Sequence, residues 1–277
     1  MRAHRFLVPL GAATILGLLT LAHLWQVPES ANLLLRTWQN SLHLPAFAIL
    51  SFFVAMVFRE LRAVTVFLIG IGVAMALESA QVMTQRDASL LDLAFDAVGV
   101  VLGLLIARGQ MGMKLAAVLI LVIATAWSPV QVWRWKIQHD ELFPVLLDSR
   151  LFGSPLLTSN SSLERTDGDG LRICLADVAY PGVQVDEAPQ HWKAYETLAM
   201  RFQVEGAEAL RMTLAIGYLS KPGTSAYVTD LFPPGTHHWE IPVSAVQAEG
   251  ELISYFKVHS SQKYAGRCFV LASVGLR

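Results

Sequence analysis

Residues 40–108 read NSLHLPAFAILSFFVAMVFRELRAVTVFLIGIGVAMALESAQVMTQRDASLLDLAFDAVGVVLGLLIAR. Three apolar runs follow one another there, about Leu42–Phe58, Ala63–Met83 and Leu90–Ala107, joined by short polar connections. Each is long enough to cross a bilayer, which takes roughly 17–25 mostly apolar residues. Connections this short make the three runs antiparallel neighbours. Polar residues nevertheless sit inside or at the ends of the runs: His43, Glu78, Gln81, Asp92 and Asp96. Ionisable groups are costly in hydrocarbon, so their default meaning is function.

Outward from this stretch, two further runs are long enough to span, about Phe6–Trp25 and Leu115–Trp133, giving five spans. The first follows a basic start, Met1–Arg5, but is longer than a signal-peptide core and lacks a small-x-small cleavage site, so it is read as an uncleaved span. The chain has 277 residues, 54% hydrophobic and 16% charged. That apolar excess is concentrated in the first half, and the rest has the composition of a soluble domain. The expected organisation is therefore a transmembrane domain over 1–136, a linker over 137–147 and an all-β domain over 148–277. A net charge of −1 with no basic stripe points away from a nucleic-acid partner.

Charge bias orients the spans. Arg2, Arg5, Arg59, Arg62, Arg108 and Lys114 fall on one set of loops and only Arg36 and Arg86 on the other. The positive-inside bias places the N-terminus in the cytoplasm and, after five spans, the C-terminal domain outside a bacterial-type inner membrane. On this topology all five intramembrane polar groups lie at the outer end of the bundle, with Arg86 in the adjoining outer loop. Glu78 and Gln81 are three apart and Asp92 and Asp96 four apart, so each pair shares a helix face. Gly99 and Gly103 continue the Asp92/Asp96 stripe, and small residues let helices approach closely, which turns the acidic face inward. His43, Glu78, Gln81, Arg86, Asp92 and Asp96 thus make one candidate pocket, in which a neutral acid beside an ionised base would be a workable acid/base pair. Polar cross-linking of three helices is the structural alternative. The spacing 43, 78, 92, 96 lacks a recognisable metal-ligand pattern, so neither a metal nor another cofactor is expected.

A His opening one span, Glu78-Ser79-Ala80-Gln81 ending the next, then Arg86, then Asp92-x-x-x-Asp96-x-x-Gly99-x-x-x-Gly103 resembles the VanZ-like family of membrane proteins over about residues 35–110. Members often carry Asp-Lys before the His, where this chain has Asn40-Ser41, and commonly Asn at the position of Asp96. The family is named for a protein linked to glycopeptide (teicoplanin) resistance. The resemblance therefore implies work at the cell envelope and leaves the reaction, if there is one, open.

Residues 148–277 alternate apolar and polar over Leu171–Leu175, Thr197–Val204, Leu210–Tyr218 and Tyr255–His259, with Gly- and Pro-rich turns such as Pro181-Gly182, Lys221-Pro222-Gly223 and Pro233-Pro234-Gly235 between them. Short strands with such turns predict a β-sandwich or jelly roll. The stretches Gly182–Val185, His191–Tyr195 and Pro234–Pro242 resemble galactose-binding-like jelly rolls. That resemblance implies a carbohydrate ligand, for which Trp192, Tyr195, Tyr218, Tyr227 and Trp239 are the candidate aromatic platforms; core packing is the alternative for each. The two cysteines, Cys174 and Cys268, both fall in this domain, either as a disulfide permitted by an oxidising compartment or as two unpaired buried thiols. The expected function is binding or processing of an envelope glycan or lipid-linked saccharide in the outer-leaflet pocket. The alternative is a non-catalytic module whose external domain binds glycan or a protein partner.

Overall fold

The computed structural model describes residues 33–83, 90–168, 170–189, 192–219, 225–247, 251–260 and 265–277. The expected first span, the outer-loop residue Arg86 and the turn at 221–223 lie outside the described residues. The described chain forms two compact units, one over Leu35–Val130 and the other built mainly from Gln131–Arg277.

The first unit is helical. Helix α1 (Leu33–Ser41) leads almost directly into α2 (His43–Val57); α3 (Ala63–Met83), α4 (Leu90–Arg108) and α5 (Met111–Leu142) follow. Among the described residues, four segments are long and apolar enough to cross a membrane: Leu33–Val57, Ala63–Ala80, Leu90–Arg108 and Met111–Leu142. Their outward faces stay apolar, with Leu68, Leu119 and Ile123 exposed, as helices solvated by lipid require.

Each span runs antiparallel to the next in sequence, but the tightest pair is α2 with α4, which run parallel. A Cβ added at Gly99 would collide with the Leu44 carbonyl, and one at Gly103 with Ala48 O and Ser51 Oγ. The absence of side chains at these two positions is what lets the backbones meet. Ser51 Oγ uses the approach to donate to Val100 O at 3.1 Å. Helix α3 packs on this pair through Ala74, Phe67 and Leu77 around Val100 and Phe47. At the far end of the unit, Arg108 Nη1 donates to Leu61 O at 2.7 Å, satisfying a carbonyl in the α2–α3 turn.

The second unit is a sandwich of two antiparallel sheets. The first has the order β3 (Ser162–Arg165), β4 (Leu171–Cys174), β11 (Cys268–Leu276), β6 (Thr197–Val204), β9 (Gly235–Pro242), with β1 (Val145–Leu147) also on β11. The second has the order β2 (Leu157–Ser159), β5 (Gly182–Asp186), β10 (Ile253–His259), β7 (Leu210–Tyr218), β8 (Ser225–Phe232). The expected strands at 197–204 and 210–218 coincide with β6 and β7. Inward residues of both sheets, including Phe202, Phe256, Phe269 and Ile216, fill one core. Cys174 and Cys268 face each other in the β4–β11 register and are bonded.

The expected linker at 137–147 is corrected. Helix α5 runs on to Leu142, and Val145–Leu147 is a strand of the sandwich. Leu146 and Leu147 are buried in the sandwich core, and buried His139 donates from Nε2 to Leu146 O at 2.8 Å. Buried apolar side chains and a satisfied carbonyl make this segment part of the folded unit.

Candidate functional site

The beginning of α2, the later part of α3 and the second turn of α4 bring His43, Glu78 and Asp96 together. One ligand-capable atom from each lies within 4.8 Å of the other two, and all three residues are buried. His43 Nδ1 stands 3.3 Å from Asp96 Oδ1. Asp96 is fully buried, and its second oxygen, Oδ2, has no hydrogen-bond partner among the described residues. The Gly99/Gly103 contact explains the geometry: it holds α4 against α2 so closely that the residue one turn before Gly99 must face His43.

Asp92 takes a different place. It is half-buried and lines a cavity of about 270 Å³ with Thr37, Asn40, Ser41, Leu44 and Ser128. Asn40 and Ser41 immediately precede His43, and Asp92 lies one turn before Asp96, so the cavity adjoins the buried cluster. Its polar wall, one carboxylate with a carboxamide and hydroxyls, suits a hydroxylated or cationic polar group at an otherwise apolar depth. Asn40, Ser41 and Thr37 were not among the expected site residues; their position directly before His43 is the signal that points to them. Gln81 lies on α3, but its side chain is not among those described, and Arg86 lies outside the described residues.

In the sandwich, four of the five aromatic candidates lie in or against the core. Trp192 is fully buried, its Nε1–H donating to Pro189 O at 2.6 Å and its ring set edgewise to Phe256. Tyr218 is buried with its hydroxyl donating to Val246 O at 2.7 Å. Trp239 is buried against Phe232, and half-buried Tyr195 packs edgewise on Phe143. The polar tips of Trp192 and Tyr218 are satisfied within the domain, and all four rings pack on the core, as amphipathic aromatics in a sandwich commonly do. Tyr227, on edge strand β8, remains exposed at 64%.

The outward face of the second sheet carries residues that the sequence reading missed. Phe256 and Val258 point into the core, so Tyr255 and Lys257 point out, beside Asp186 and Gln184 in the β10–β5 register. Gln184 Nε2 donates to Asp186 Oδ1 at 2.8 Å. The Tyr255 ring occupies the space that a side chain at Gly217 would need, and its hydroxyl is 3.1 Å from Ser225 Oγ. Burial lowers the pKa of Lys257. Tyr227 pairs with Ala215 on the same face. The strand parity of 253–259 was the available signal: it separates Tyr255 and Lys257 from the core residues between them.

Comparison with known proteins follows the division into units. The sandwich matches several solved structures: PfGH50B (12% identity, 44% of this chain and 22% of that one, TM-score 0.37), the family 11 carbohydrate-binding module from Clostridium thermocellum in complex with a β-1,3-1,4-mixed-linked tetrasaccharide (12%, 43% and 82%, 0.35) and an exo-β-agarase (10%, 44% and 23%, 0.36). The chain thus spans less than a quarter of the first and third of these. No curated protein matches it. The family model VanZ/LLP1 matches residues 4–125, which include the buried cluster and the residues lining the cavity except Ser128. With apolar helices of spanning length and this match, the N-terminal part of this multi-pass membrane protein is a VanZ-like domain.

Proposed function

We propose that the protein works at the cell envelope, holding or processing the polar head of a glycan or lipid-linked saccharide at the outer leaflet. The observation that carries this reading is the buried convergence of His43, Glu78 and Asp96 next to the Asp92 cavity. Two carboxylates and an imidazole withdrawn from water cost several kcal/mol in desolvation, and polar groups at such depth are retained mainly for ligands or proton traffic. The outer-leaflet placement is part of the proposal and rests on the positive-inside bias. The test compares envelope-precursor lipids in cells carrying the wild type, Asp92→Asn or Glu78→Gln. The expected result is loss of the wild-type effect with undiminished protein in the membrane. Full activity in both variants would overturn the reading.

A second reading places the ligand on the sandwich. It is favoured by the outward face bearing Tyr255, Gln184, Asp186, Lys257 and Tyr227, where an aromatic ring, a carboxamide, a carboxylate and an amine stand together on a rigid sheet. Such a face would bind a glycan without help from the helices. A glycan array probed with the isolated sandwich, beside a Tyr255→Ala variant, checks it; no binding by the wild-type fragment would sink it.

A further inference from the structure

We propose that His43, Glu78 and Asp96 form a binding site for a divalent transition-metal ion, zinc or manganese. The inference rests on the reading that this cluster is the working part of the helical unit, and it names what the cluster would hold. Sequence spacing hides the site, because the three residues come from three helices. In space one imidazole nitrogen and two carboxylate oxygens lie within 4.8 Å of one another. Donors bound to one ion at about 2.0–2.2 Å stand roughly 3–4.3 Å apart. The 3.3 Å between His43 Nδ1 and Asp96 Oδ1 is already such a spacing. Small side-chain rotations bring in the third donor.

Two features separate this arrangement from a structural hydrogen-bond cluster. Asp96 Oδ2 is buried with no hydrogen-bond partner among the described residues, and a carboxylate oxygen left so in a dry interior is costly. A cation answers it directly. The second feature is the donor set. Two ionised carboxylates with a neutral imidazole carry two negative charges, which a divalent ion balances. Imidazole nitrogen favours zinc or manganese over magnesium or calcium, which prefer all-oxygen shells. Three protein donors leave coordination positions for water or for an oxygen of the proposed headgroup.

The experiment uses the full-length chain without an affinity tag, purified in detergent. Exposed His238 is replaced by Ala to remove an adventitious ligand, while half-buried His237, packed on Phe202 and Phe232, is kept. After chelation, the protein is titrated with Zn2+ or Mn2+, and bound metal is measured by mass spectrometry. One equivalent is expected, with affinity lowered at least about tenfold by Asp96→Asn and by His43→Gln. Binding that neither variant weakens, or no stoichiometric binding by the wild type, overturns the site. If neither variant folds, pulsed EPR of the Mn2+-loaded protein decides: a coupled imidazole nitrogen supports the proposal and its absence refutes it. Asp92→Asn, outside the cluster, is expected to keep the metal. A wild type that binds no metal, yet loses its envelope effect on Glu78→Gln, would defeat this inference and leave the proposed function standing.

Discussion

His43 and Asp96 are 53 residues apart in sequence and 3.3 Å apart in the fold. Their type and depth were legible, because ionisable residues in apolar runs stand out from their surroundings. Asp92 and Asp96 were not separable by spacing, although one lines a cavity and the other is fully enclosed. A helical face is wide enough to serve two environments one turn apart. The aromatic residues show the opposite difficulty. Residue type alone does not say which way a strand side chain points, so Trp239 and Tyr255 look equivalent until parity is fixed by the core residues beside them. One residue in the sandwich makes a pH prediction. His259 is buried edgewise against Tyr180; burial, aided by nearby Lys257 and opposed by the Ser260 backbone, lowers its pKa. Between that lowered value and the ordinary value of about 6.5, the unfolded chain binds more protons than the folded one. The His259 contribution is therefore full above about pH 6.5 and declines as the pH falls toward the native pKa. Melting temperatures measured from about pH 7 to about pH 5 should fall, and His259→Gln should flatten that slope; an unchanged slope would exclude His259 as its source.

Among elements, the α2–α4 contact sets the site. Gly103→Val places carbon where Ala48 O and Ser51 Oγ already stand. Ser51 Oγ can rotate away, but the Ala48 carbonyl is helix backbone and cannot yield. The cost should reach or exceed the 1–3 kcal/mol typical of overpacking, and His43 should separate from Asp96. Gly72→Ala is the matched control, since an added Cβ there meets nothing within 4 Å. Thermal unfolding in detergent should show a large loss for the first and little change for the second. The small-residue stripe was readable in the sequence, but its partner was not: short loops suggested neighbours in chain order, whereas the closest approach skips α3. At the other boundary, composition placed the start of the β domain at 148, missing β1 because three residues after a long helix give no periodic signal. A fragment of residues 148–277 lacks Leu146 and Leu147, both buried in the sandwich. Losing even one such side chain costs about 2–5 kcal/mol. A fragment of residues 137–277 should unfold cooperatively at a distinctly higher temperature than 148–277, and equal stability would show that β1 contributes nothing.

At the scale of the whole molecule, orientation links the parts, and the cysteines offer a clean way to measure it. The chain has two cysteines and both are consumed by the Cys174–Cys268 bond. In the entropic account, closing a loop of 94 residues stabilises the folded sandwich by about 4–5 kcal/mol. Such a bond persists on the oxidising side of a membrane and is rare on the cytosolic side; the topology proposed from the Arg59, Arg62, Arg108 and Lys114 bias puts the sandwich on that oxidising side. One redox and one electrostatic argument thus support the proposed external placement of the sandwich, and labelling tests it. In a background with both cysteines replaced by serine, Ala207→Cys on the exposed β6–β7 turn should react with a membrane-impermeant maleimide from outside the inner membrane. Glu60→Cys, exposed between α2 and α3, should react only after the membrane is opened. The reverse pattern would place His43 and Asp96 at the cytoplasmic end, and the outer-leaflet saccharide would have to be abandoned even if both cysteine variants fold.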